Sequence, residues 1–154
     1  MKTGTITETT LLVIGYGNTL RSDDAAGPLV AERIEELGLP GVRALARPQL
    51  APELAPELAE ALTVVFVDAT ADPACAVELE RITPDVSGAV GSHAVSPRAL
   101  LALTEELYGH APAAWLLKVP AENFGHGEGL SELARRGVGA AVGEISSLVA
   151  EWMF

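Results

Sequence analysis

The chain has 154 residues, 49% of them hydrophobic, and a formal net charge of −11. That length and apolar content predict one domain, 1–154, with a substantial core and exclude a disordered chain; the acidic balance repels nucleic-acid backbones and favours cationic or metal-bearing partners only weakly. Cys75 is the one cysteine, so no internal disulfide forms, and neither the polar opening Met1–Glu8 nor any later apolar run has the makings of a signal core or a membrane span, which predicts a cytoplasmic protein without nucleic-acid or membrane partners.

After a polar lead-in over residues 1–9, the continuous apolar run from Leu11 to Gly17 reads as a strand covered on both faces. A helix over 28–37 follows and stops at Gly38, with Pro40 beyond it. Val42 to Leu50 is a weaker strand. Leu54, Leu58 and Leu62 recur four apart and predict a helical stripe over Pro52–Leu62, which Pro56 either starts or kinks. Val64–Val67 is a buried strand running directly into Asp68. Val77–Ile82 alternates apolar and charged residues, the pattern of a half-exposed strand, and the glycine-rich segment Ser87–His93 follows. Ser96 and Pro97 open a helix through about Tyr108, with serine as cap and proline in the first turn. Trp115–Val119 is the last strand. A loop, Pro120–Gly129, leads to a helix from Ser131 to Trp152, where Gly137, Gly139 and Gly143 are expected to allow close packing on the sheet. Strands alternating with helices predict an α/β protein with a mostly parallel sheet of about five strands and helices on both faces.

Parallel strands present their carboxyl ends at one edge of the sheet, where ligands bind. Asp24 lies just past the first strand, Asp68 at the end of the strongest one, and His93 in the loop after the 77–82 strand. Two carboxylates and an imidazole form an O,O,N set suited to a borderline divalent cation. Each residue also has a plainer reading. Asp23 or Asp24 can be the N-cap of the helix behind it, Asp68 can cap a turn, and a lone histidine in a glycine-rich loop is more often at the surface than on a metal. Other patterns fail. The third glycine of a dinucleotide fingerprint would fall at Leu20, no acidic residue ends the second strand, and neither a phosphate loop nor an H-E-x-x-H helix is present. Cys75 has no basic neighbour close in sequence, Ser92 and His93 are adjacent without forming a dyad, His126 sits in a glycine-rich loop, and His110 ends a helix where its charge suits the dipole.

The pattern Gly15-x-Gly17-Asn18-x-Leu20-x-x-Asp23-Asp24-x-x-Gly27-Pro28 resembles the opening signature of the hydrogenase maturation endopeptidases. The resemblance continues through Phe66-Val67-Asp68-Ala69, Ser92-His93 and Phe124-Gly125-x-Gly127-x-Gly129-Leu130-Ser131, in family order and over nearly the whole chain. It implies a three-layer α/β/α sandwich and removal of the C-terminal tail of a [NiFe] hydrogenase large-subunit precursor. Asp24, Asp68 and His93 would be the catalytic, metal-contacting residues, facing nickel carried by the substrate rather than a permanent cofactor, at a site that zinc or cadmium can also occupy. Gly17 and Asn18 would shape the mouth and, with Asp23 in a supporting or capping part, make up the substrate-binding set. Two departures stand out. Ala25 occupies a position where family members often carry glycine, and would be strained if that position needs φ above zero. Asp24 stands where some members have the longer glutamate. Ala25 favours an alternative, a non-catalytic nickel-binding or docking module of the same fold. A small-molecule enzyme binding a nucleotide at Gly15–Asn18 is the other.

Overall fold

The computed structural model describes residues 9–71, 76–86 and 95–153. The elements are β1 (Thr9–Tyr16), α1 (Ala26–Leu37), β2 (Val42–Arg47), α2 (Ala55–Ala59), β3 (Ala61–Thr70), β4 (Glu78–Ile82), α3 (Pro97–Tyr108), β5 (Ala113–Pro120) and α4 (Glu132–Met153). Single 3-10 turns, Ser22–Ala25 and Pro52–Leu54, lead into α1 and α2. The five strands form one sheet in the order β2-β1-β3-β5-β4, as the predicted α/β architecture requires.

Alternation along the central strands builds two cores, one on each side of the sheet. Leu11 and Val13 of β1 and Val65 and Val67 of β3 face Val30 and Ile34 of α1 and Val138, Ala141 and Ile145 of α4. Leu12, Ile14, Val64 and Phe66 point the other way, against Leu54, Leu58, Leu100 and Leu101 around α2 and α3. Burying each such side chain contributes ~1.5–3 kcal/mol, so both layers are held mainly by apolar contact. Among the described residues no helix is long and apolar enough to cross a membrane.

Several predicted end signals operate as expected. Gly38 closes α1 in the left-handed conformation (φ 62°), and the Ser96 hydroxyl accepts the Ala99 N–H at 3.1 Å at the start of α3. Other expectations need correction. Leu62 belongs to β3 and is exposed, so the helical stripe ends with Leu58. β3 continues to Thr70, which places Asp68 two residues inside the strand rather than at its end. Of the three α4 glycines only Gly137 lies against the sheet, where a Cβ would come within 2.8 Å of Val119; Gly139 and Gly143 face open space. Strand β4 runs antiparallel to β5, with Glu78 opposite Lys118 and Ile82 opposite Ala114. Its carboxyl end therefore points away from the edge shared by the other four. The seven residues between Thr70 and Glu78 are too few for the crossover of roughly a dozen that a parallel strand needs.

The first turn of α1 presses directly on the sheet. A Cβ on Gly15 would lie 1.9 Å from the Gly27 carbonyl oxygen, and one on Gly27 would lie 2.6 Å from the carbonyl oxygens of both Tyr16 and Val67. Backbone meets backbone here, and no side chain can move aside. Gly15→Ala is expected to destabilise the fold by about 3 kcal/mol or more in urea unfolding. Gly139→Ala, in an exposed helix interior with nothing within 4 Å, is expected to stabilise it by about 0.5–1 kcal/mol.

Candidate active site

The strand order reverses direction between β1 and β3, so the crevice at their carboxyl ends is the topological switch point of the sheet. The register of these two strands runs up to Gly15 opposite Val67. Tyr16 and Asp68 come next on each strand and lie side by side, on the face that also carries Ile14 and Phe66. The Tyr16 hydroxyl donates to Asp68 Oδ2 at 3.2 Å. The chain then turns at Gly17, whose φ of 153° suits glycine and whose missing side chain leaves room for the Asp24 carbonyl, 2.0 Å from where a Cβ would stand. Past that turn the Asn18 N–H donates to Asp24 Oδ2 at 2.7 Å, and Asn18 Oδ1 accepts the Leu20 N–H at 2.9 Å. Neither Asp23 nor Asp24 caps a helix: no side chain caps the 3-10 turn or α1. Asp24 is instead held toward the crevice by the turn in front of it.

Burial pushes the Asp68 carboxyl up to about 6; the Asp24 charge adds to this, while the Tyr16 hydroxyl and the Ala69 N–H work against it. Burial, then the charges of Asp68 and Asp24, also raise the Tyr16 hydroxyl above its ordinary value. Two carboxylates thus share a half-buried crevice closely enough to repel one another, which is the electrostatic setting a cation relieves. Among the described residues no three His, Cys, Asp or Glu side chains cluster as a metal site. The two described members of the predicted trio are Asp24 and Asp68; His93 lies outside the described residues, as does Cys75. A cleft of about 270 Å³ lies beside the turn that holds Asp24 and is lined by Gly17, Asn18, Leu20, Pro28, Glu32 and Arg47 among others.

Asp23 behaves differently from its neighbour. It has no exposed surface, so it meets no substrate directly, and its carboxylate gathers four donors from a segment about 100 residues away. Oδ2 accepts the N–H groups of Glu122 (2.9 Å) and Asn123 (3.0 Å) and the Ser131 hydroxyl (2.7 Å); Oδ1 accepts the Ser131 N–H (2.7 Å). The Ser131 hydroxyl also accepts the Ala134 N–H and so caps α4. Around this knot Ser22 N–H reaches the Gly127 carbonyl, Ser22 Oγ the Gly125 carbonyl and Arg21 Nε the Phe124 carbonyl. The turn after β1 and the glycine-rich loop before α4 are therefore one structure. His126 is exposed on that loop, and His110 ties the end of α3 to the end of α2 through the Ala59 carbonyl, 2.9 Å from Nε2.

No family model matches the sequence, and no curated protein matches it. Solved structures do. The [NiFe] hydrogenase maturation protease HycI from Thermococcus kodakarensis is 27% identical, with 94% of each chain covered and a TM-score of 0.71. The chain shares its fold with the hydrogenase maturation proteases. The hydrogenase maturating endopeptidase HybD from E. coli (21% identity, 93% of each chain, TM-score 0.70) and the hydrogenase 2 maturation peptidase from a Thaumarchaeota archaeon (22%, 92% of this chain and 99% of that one, 0.69) have the same fold. In each case more than nine tenths of both chains is covered, so the likeness extends over the domain and not over a fragment of it.

Two contacts at this end of the molecule escape a reading of the sequence by motif: the Tyr16 hydroxyl on Asp68 and Ser131 on Asp23. Tyr16 occupies the unspecified position of Gly15-x-Gly17, and alternation alone puts it on the Ile14 face; its partner depends on the register of β1 with β3. Ser131 closes the Phe124–Ser131 segment of the resemblance, but nothing in that segment shows that its partner is Asp23.

Two outcomes follow from these two perturbed acids. Burial alone would raise the Asp23 carboxyl, but the hydrogen bonds from Glu122, Ser131 and Asn123 outweigh it and hold the group below its ordinary value. Its contribution to stability is present above the unfolded-state pKa and is lost as pH falls through the folded one. Asp23→Asn is expected to cost about 3 kcal/mol near neutral pH, to lose that penalty as pH drops below about 4, and to unprotect the Glu122, Asn123 and Ser131 amides in hydrogen exchange. Asp68 has the opposite sign. Its folded pKa lies above the unfolded value, so stability falls as pH rises from 3.8 to about 6. Asp68→Asn is expected to be more stable than the wild type by about 2 kcal/mol above pH 6 and equal to it below about pH 4 in thermal or urea unfolding.

Proposed function

We propose that this chain is an endopeptidase that removes the C-terminal tail from a nickel-loaded large-subunit precursor of a [NiFe] hydrogenase, acting in the cytoplasm. The observation that carries the reading is the placement of Asp24 and Asp68 together at the β1/β3 switch point of a fold whose solved relatives are maturation proteases. Nickel belongs to the substrate in this reading. Asp24 and Asp68, with His93 as third donor, contact it from the protease side, and the mutual repulsion of the two carboxylates is what the cation offsets. Oxygen and imidazole donors are compatible with nickel, zinc or cadmium alike.

The substrate chain runs past Gly17 and Asn18 into the adjoining cleft. One carboxylate of the pair takes a proton from a water as that water attacks the scissile carbonyl, and returns it to the departing amine.

The alternatives lose their support. Ala25 sits at φ −75° and ψ −6°, ordinary helical values, so alanine there carries no strain and does not argue for a non-catalytic docking module. The amides of Asn18 and Leu20 are engaged by Asp24 and Asn18, which takes them from a nucleotide phosphate.

Incubation with nickel-loaded and nickel-free precursor, followed by intact-mass spectrometry, tests the proposal. Only the loaded form is expected to lose its tail. Equal cleavage of both removes nickel recognition, and binding of the loaded form without cleavage converts the reading to a docking module. Asp24→Ala, Asp68→Ala and His93→Ala are each expected to slow cleavage on the order of 100-fold; an unaffected variant removes that residue from the site.

A further inference from the structure

Tyr16 is the residue between the two glycines of the opening motif, and nothing in peptide hydrolysis calls for a tyrosine at that point. Its ring packs against the apolar cluster under α2 and α3, while its hydroxyl leaves that cluster to meet Asp68 Oδ2. Two residues later the Asn18 N–H meets Asp24 Oδ2. Residues 16 and 18, on either side of the Gly17 turn, thus each hold one oxygen of one carboxylate. A packed ring has two torsions and little freedom, so its hydroxyl is a fixed donor, and a carboxylate held by a fixed donor cannot swing about its own terminal torsion. Metal-facing carboxylates are commonly oriented by such partners, whose loss weakens metal contact ~10–100-fold.

We infer that Tyr16 is a positioning residue, whose hydroxyl sets the orientation in which Asp68 meets the metal of the substrate, as the Asn18 N–H does for Asp24. The inference rests on the functional reading above for what carries the metal, and on the geometry alone for the contact.

The test is Tyr16→Phe in the full chain, which keeps the ring and removes the hydroxyl. The carboxyl carbon resonance of Asp68, identified by its loss in Asp68→Asn, shifts between wild type and Tyr16→Phe; an unmoved resonance overturns the inference. With nickel-loaded precursor, Tyr16→Phe raises KM about tenfold and leaves kcat within about threefold, with binding of nickel-free precursor unchanged. An unchanged KM, with or without loss of kcat, overturns the inference, since a partly unfolded population loses kcat alone. If the wild type cleaves no precursor, the functional reading fails and calorimetry with Ni(II) alone decides. Affinity about tenfold weaker in Tyr16→Phe sustains the inference; equal affinity, or no binding by either chain, overturns it.

Discussion

The Asp23 carboxylate, wholly enclosed and met by four donors, is the contact on which the functional end of the molecule depends. A buried charge is tolerated only where hydrogen bonds replace the water it has lost. Here those donors come from the loop before α4 and from the cap of α4 itself. Removing them would leave a charge stranded beside β1; removing the charge would leave the loop amides and a cap hydroxyl short of a partner. The knot therefore fixes the entry to α1 and the entry to α4 against one another. Between them it holds the turn that presents Asp24.

Two acids side by side in sequence end up in opposite conditions. Asp23 is buried among donors that hold its carboxyl below the ordinary value, whereas burial and the Asp24 charge push the Asp68 carboxyl up. Structure and function are divided between neighbours. One carboxylate stabilises the scaffold; the other belongs to a pair whose mutual repulsion costs stability when nothing bridges them. Such local strain at a site, supported by strong contacts just outside it, is the usual division in proteins whose chemistry needs unsatisfied charge.

Much of this architecture is visible in the order of residues, and the exceptions have physical causes. The apolar runs of β1 and β3, the Gly38 stop and the Ser96 cap are local signals, and local structure obeys them. The placement of Asp24 and Asp68 at one edge also follows from the rule for parallel strands. The direction of β4 does not appear in its alternation, because alternation reports which faces are covered and not which way the strand runs; the short link from Thr70 carries that information. The partner of Tyr16 is set by strand register. The partners of Asp23 lie 99 to 108 residues further along the chain, beyond the reach of any pattern of spacing. Ala25 illustrates the reverse error: a departure from a family pattern invites an expectation of strain, yet the backbone there is plain helix.

The span of the Asp23–Ser131 link, 108 residues, has a consequence for how the protein comes into being. Closing so long a loop is slow and is repaid only when both ends are in place. A growing chain can form β1, α1 and β3 early, but the turn bearing Asp24 is not locked until β5 has been added and α4 begun. The crevice is among the last parts to be completed, so an unfinished copy presents its acids on a loose turn and has no organised cutting edge.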